Sequence, residues 1–96
     1  MSLGAGPVMI AENSLDRDLV EIILARIRPA LMLDGSGLEL LALEGNRVTV
    51  AFSGRVIESY SSTMLLKIGI ERALRQEVPG FGDLFAITTA GESIRS

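Results

Sequence analysis

Two apolar runs, GLELLALE (37–44) and RVTVAFS (47–53), are separated by Gly45-Asn46 alone. Strand-like runs joined by two residues can only turn back on each other tightly. Glycine supplies the positive φ that twist-matched hairpin turns demand. A regular register about this turn sets Leu43 opposite Val48, Leu41 opposite Val50 and Glu39 opposite Phe52, which predicts one aliphatic face. Leu38, Leu40, Ala42 and Ala51 then fall on the other face. A sheet with helices on one side only should be polar on its outer side. An apolar outer face is therefore expected either to be covered by the N-terminal segment or tolerated as scattered aliphatics, or to serve as a self-association or partner surface.

The flanking segments read as helices. Asn13 and Ser14 are the N-cap candidates of the first, and Asp16 and Asp18 place negative charge where a helix start favours it. Leu15, Leu19, Ile22, Ile23, the Arg26 stem and Ile27 follow helical spacing. Pro29 predicts a kink or a last turn running to about Leu33, because it lacks a backbone donor. Asp34-Gly35-Ser36-Gly37 ends the helix. In the second helix, Ser61 or Ser62 is the expected cap and Leu66, Ile70, Ala73 and Leu74 the inner stripe. Lys67, Glu71, Arg72 and Arg75 are expected in water, with the end near Glu77. Gly69 inside this helix implies close approach by another element, since it costs roughly 1 kcal/mol against alanine. DLFAITT (83–89) reads as a third strand and AGESIRS as a fraying tail.

The order α-β-β-α-β predicts a two-layer α+β domain. The crossover through the second helix makes the last strand parallel to the second, giving a small mixed three-stranded sheet with both helices on one face. One domain over residues 14–90 is expected. Residues 1–13 read as a flexible segment, in part a cloning remnant, and 91–96 as a tail.

Composition narrows the chemistry. Ninety-six residues make one modest core, and 4% aromatics make it aliphatic. Nine basic against twelve acidic residues, net charge −3, oppose the electrostatic term behind nucleic-acid affinity. No Gly-x-x-Gly clamp of the KH type is present, so no nucleic-acid partner is expected. Without cysteine or histidine the chain has no disulfide, no thiolate nucleophile and no imidazole base. No apolar run reaches the roughly 18 residues of a membrane span, and the N-terminus lacks a basic leader, so a cytoplasmic protein is expected. Asp34, Glu39, Glu44, Glu58 and Asp83 form no pair placed across a cleft, so no enzyme is expected. Asp34-Gly35-Ser36-Gly37 lacks the acidic series of a calcium loop. The Ser61-Ser62-Thr63 cluster, with Lys67 one turn on, is a helix cap or a weak anion site.

The stretches IRPALMLDGSGLELLALEGNRVTVAFSG and SSTMLLKIGIERALRQEVPG resemble the C-terminal domain of NifU-type iron-sulfur cluster scaffold proteins, over about residues 15 to 90. In that family the loop after the second strand reads Gly-x-Cys-x-x-Cys-Pro-Ser-Ser, and its two thiolates hold the cluster or iron. Here Gly54 is followed by Arg55. Val56 stands at the first cysteine position, Ser59 at the second and Tyr60 at the proline. Iron-sulfur clusters are held overwhelmingly by thiolate; valine offers no donor and a serine hydroxyl is a poor one. No cofactor and no metal site are therefore expected. The resemblance then implies a degenerate domain associated with iron-sulfur cluster assembly, working as a protein-interaction module. Gly54, Val56, Ile57, Ser59, Tyr60, Leu38 and Leu40 are its expected contact residues. The partners would be iron-sulfur assembly proteins, recipient apoproteins or a second copy of the chain. The alternatives are a loop packed into the domain's own core as a relic, and an iron or cluster carrier using Glu58, Ser59 and Ser61.

Overall fold

A computed structural model of the chain describes residues 15–88 and 93–94. Helix α1 spans Arg17–Leu33 and turns Val20, Ile23 and Leu24 into the core. Its cap is Asp16, whose Oδ1 accepts from the Leu19 amide at 3.2 Å. The caps expected at Asn13 and Ser14 lie outside the described residues. The buried stripe is also rotated from the expected one: Ile22 is exposed and Val20 takes an inner position. Pro29 does not end the helix. The carbonyl it leaves without a donor belongs to Ala25, on the exposed side, where water can satisfy it. After Leu33 the amides of Asp34 and Gly35 return to the carbonyls of Leu31 and Met32, with Gly35 at φ +77°.

Strand β1 (Ser36–Glu44) and strand β2 (Arg47–Gly54) form the expected hairpin. Gly45 has φ +60° and no non-glycine residue among those described is positive, the pattern of a type II′ turn. Beyond Leu43↔Val48 the register departs from a regular ladder. A bulge between Leu40 and Ala42 pairs Leu40 with Val50, Glu39 with Ala51 and Leu38 with Phe52. One extra residue reverses which side every earlier residue faces. Leu38 and Leu40 therefore join Val48, Val50 and Phe52 under the helices, and Leu41, expected inside, is 46% exposed. The outer face thus loses Leu38 and Leu40 but keeps Ala42, Ala51, Phe85 and Ile87. On that side Arg47 pairs with Asp83 at 3.3 Å and covers the Phe85 ring at 5.7 Å, beside Thr49, Ala51 and Ser53.

Helix α2 spans Tyr60–Glu77 and returns the chain to strand β3 (Asp83–Thr88), which runs parallel to β2 with Val48↔Leu84 and Val50↔Ala86. A two-residue strand β4 (Ser93–Ile94) adds to β3 antiparallel, so part of the expected tail is paired. The sheet order is β1-β2-β3-β4. Both helices bury their inner residues in one cluster with β2 and β3, which makes the two-layer α+β arrangement expected from the element order. Ile70 and Leu74 are fully buried, with Leu66 and Ala73 packed at the rim. The first helix also guards the free edge of β1, where the Arg28 Nε donates to the Leu38 carbonyl at 2.9 Å while Nη2 holds Glu21 at 3.1 Å.

Two residues of α2 differ from expectation. Lys67, expected in water, is 5% exposed, with its Nζ 3.4 Å from Glu71. The four-carbon stem of lysine lets it lie along an apolar surface and still reach a charge partner. Gly69, expected at a close approach, is exposed, and a Cβ built on it meets nothing within 4 Å. Helix propensity alone then governs a substitution there. Gly69→Ala is expected to stabilise the domain by about 1 kcal/mol. In a thermal melt that is a rise of roughly 4–8 °C for a domain of this size.

Candidate functional site

The segment Gly54–Tyr60 links β2 to α2, and its conformation follows from two glycines. Gly54 has φ +80° and ψ −151°, a region closed to side chains, and stands against the Gly35 turn at the end of α1. The Arg55 amide donates to the Gly35 carbonyl at 3.1 Å, which fastens the two turns together. Residues Arg55–Glu58 then form a single 3₁₀ turn.

Val56 lies inside that turn and is fixed on three sides. Its side chain, 8% exposed, belongs to the core cluster. Its amide donates to the buried Ser36 Oγ at 2.8 Å. The Thr63 Oγ1 lies 2.8 Å from the Val56 carbonyl and 2.9 Å from that of Ser59, so one hydroxyl proton serves both acceptors. Ser59 is exposed and caps α2: its Oγ accepts from the Ser62 amide at 3.3 Å. The cap is therefore Ser59 rather than Ser61 or Ser62, and helix α2 begins at Tyr60.

The expected site residues do not converge. Leu38, 6% exposed, and the half-buried Leu40 face the helices and are unavailable to a partner, because the bulge turned them inward. Val56 is likewise a core residue, and Ile57 packs half-buried against the same cluster. Gly54, Ser59 and Tyr60 remain at the surface. Of the hydroxyl cluster, Ser61 and Ser62 are exposed, but Thr63 points into the loop and Lys67 is buried along the helix. An anion site built from all four is not assembled. Thr63 is expected from the sequence as part of a cap or weak anion site, and Gly35 and Ser36 as part of a helix stop; their joint role in holding the Gly54–Tyr60 loop is what the sequence does not show. The Asp-Gly-Ser-Gly run and the third hydroxyl of Ser-Ser-Thr carry the signal for it in hindsight, since both place polar groups beside the glycine turn.

Could this loop hold a metal or cluster? Position 56 offers no donor and points inward, while the Ser59 oxygen already accepts the helix amide. Among the described residues, no three His, Cys, Asp or Glu side chains come together as a ligand set. Glu58, Ser59 and Ser61 are all exposed to solvent. The donor set does not fit a thiophilic cargo. The larger exposed apolar groups at this end of the molecule are Met32 and Leu33, the latter 92% exposed, on the last turn of α1. They precede the Gly35 turn that carries Arg55, and Tyr60 opens the helix on the other side of the loop.

Sequence comparison places these features in a wider group. The family model described as NifU-like domain matches residues 20–83. NifU-like protein 2, chloroplastic, of Arabidopsis thaliana is 43% identical over 75 residues, which cover 78% of this chain and 32% of that protein. NifU-like protein 1, chloroplastic, of Oryza sativa subsp. japonica is 32% identical over 85 residues, 88% of this chain and 38% of that protein. The chain thus spans about a third of the length of the curated relatives it matches.

Proposed function

The chain belongs to the NifU-like domain family, and from that premise we propose that it is a degenerate member associated with iron-sulfur cluster assembly, acting as a protein-interaction module that does not itself carry a cluster. The observation that carries this reading is Val56: a donorless side chain held in the core at a position where the family pattern has a cysteine. Ser59, at the second such position, has been given to helix capping. The scattered, solvated carboxylates argue against catalysis, and we assign the domain no reaction of its own.

The interaction role is supported by the surface left around the loop. Met32, Leu33 and Tyr60 are large, apolar or amphipathic, and exposed. They take over the contact function expected from the sequence of Leu38, Leu40 and Val56. The partner is an iron-sulfur assembly protein, a recipient apoprotein or a second copy of the chain. The named relatives are chloroplastic proteins, and the reading asks only for an aqueous compartment where clusters are assembled, whether plastid or cytoplasm. No helix among the described residues is long and apolar enough to cross a membrane.

Anaerobic incubation of the purified chain with iron and sulfide tests the proposal. The expected result, after desalting, is a colourless protein with no visible charge-transfer band. A stable brown species holding stoichiometric iron and acid-labile sulfide, and lost in Ser59→Ala, would show the chain to be a carrier through unfamiliar ligands and would overturn the reading.

A further inference from the structure

We infer that sulfur restored at positions 56 and 59 does not rebuild a ligand pair, because the loop has been converted from a cargo holder into a clasp that closes the core. This rests on the family reading for the choice of positions, but its content is geometric. Residue 56 is held inward by its side chain in the core, by its amide on Ser36 Oγ at 2.8 Å and by its carbonyl on Thr63 Oγ1 at 2.8 Å. Residue 59 is exposed and starts the next helix. For both side chains to meet one metal ion, the side chain at 56 must leave the core, and the two hydrogen bonds that fix its main chain oppose the movement. Buried polar groups stripped of partners resist such a movement. A cysteine in place of Val56 has no reason to attempt it, since a free thiol packs as a small apolar group.

Three consequences distinguish a clasp from an emptied pocket. The side chain at 56 is shielded until the loop opens, the side chain at 59 is always available, and the pair has no shared affinity for a soft metal. The loop also contributes to stability through Thr63, whose hydroxyl joins the turn to α2.

The natural chain has no cysteine, so a thiol introduced by V56C or S59C is the only one present. Each single variant is treated with the disulfide reagent DTNB under native conditions and again in concentrated urea, and the ratio of the two rates is read. The thiol of S59C is expected to react at close to its denatured rate. The thiol of V56C is expected to be slowed by at least ~100-fold, the protection of a group reached only by local opening. The double variant V56C/S59C is then titrated with Cd²⁺ and is expected to bind it no more tightly than S59C alone. A V56C thiol that reacts at its denatured rate, in a chain with the folded far-UV spectrum, overturns the inference, as does a double variant that gains Cd²⁺ affinity with a two-thiolate absorption band. Loss of the folded spectrum in V56C, a change of little volume, would itself mark the position as part of the core and supports it. Iron uptake by the natural chain would refute the functional reading while leaving these rate ratios untouched, so the two failures are told apart.

Discussion

Gly54→Ala is expected to destabilise the domain by about 3 kcal/mol or more, through strain and overpacking together. The added Cβ would overlap the Gly35 carbonyl oxygen and lie 2.8 Å from the Ser36 Cα, both backbone atoms with no rotamer to move. The residue also sits at φ +80°, ψ −151°, where an L side chain is excluded even in open space. Relief would require parting the two glycine turns. That in turn breaks the Arg55 to Gly35 hydrogen bond and draws Val56 away from Ser36. Gly45→Ala is the matched control. It too has positive φ, +60°, but a Cβ there meets nothing within 4 Å, so only the conformational cost of roughly 1–2 kcal/mol applies. Urea unfolding of the two variants measures the difference: the midpoint of Gly54→Ala should fall well below that of Gly45→Ala at an unchanged slope. Equal midpoints would mean that the glycine turns are not in contact.

That contact between Gly35 and Gly54 shows where a linear reading of the chain stops. The hairpin, the order of elements and the end of α2 at Glu77 were legible because each depends on neighbours within a few residues, and the parallel third strand because a crossover through a helix dictates its direction. The register was not. A bulge inserts one residue without a required residue type, so Leu40, Leu41 and Ala42 read as an ordinary aliphatic run. The cap of α2 was misplaced for a different reason: Ser59, Ser61 and Ser62 are equally good capping residues, and only the 3₁₀ turn at Arg55–Glu58 decides that the helix begins at Tyr60. Lys67 was assigned to water on its charge, although its stem is as long as an apolar side chain and Glu71 lies one turn away. The loop's missing thiols could be read directly. Whether Val56 faced outward as a contact or inward as a plug required Ser36 and Thr63, which come from β1 and α2 and have no local relation to it.

The bulge makes an opposite pair of predictions for two leucines three residues apart. Leu38→Lys is expected to cost about 4 kcal/mol or more and to leave the domain largely unfolded, since it removes a buried aliphatic group and forces an ammonium toward Phe52 and the helices. Leu41→Lys is expected to change stability by no more than about 0.5 kcal/mol, because that side chain already stands at the surface beside the bulge. A regular ladder from the Gly45 turn demands the reverse order, with Leu41 inside against Val50 and Leu38 outside. Thermal melts of the two variants therefore decide the register without a structure of either. The functional reading turns on the same result. With Leu38 and Leu40 inside, the sheet face lacks the two leucines expected to dock a partner, and the proposed association is tested first at the loop end beside Leu33 and Tyr60. Were Leu38→Lys to fold as well as the natural chain and Leu41→Lys to unfold it, the outer sheet face would regain Leu38 and Leu40 and the proposed interaction surface would move back there.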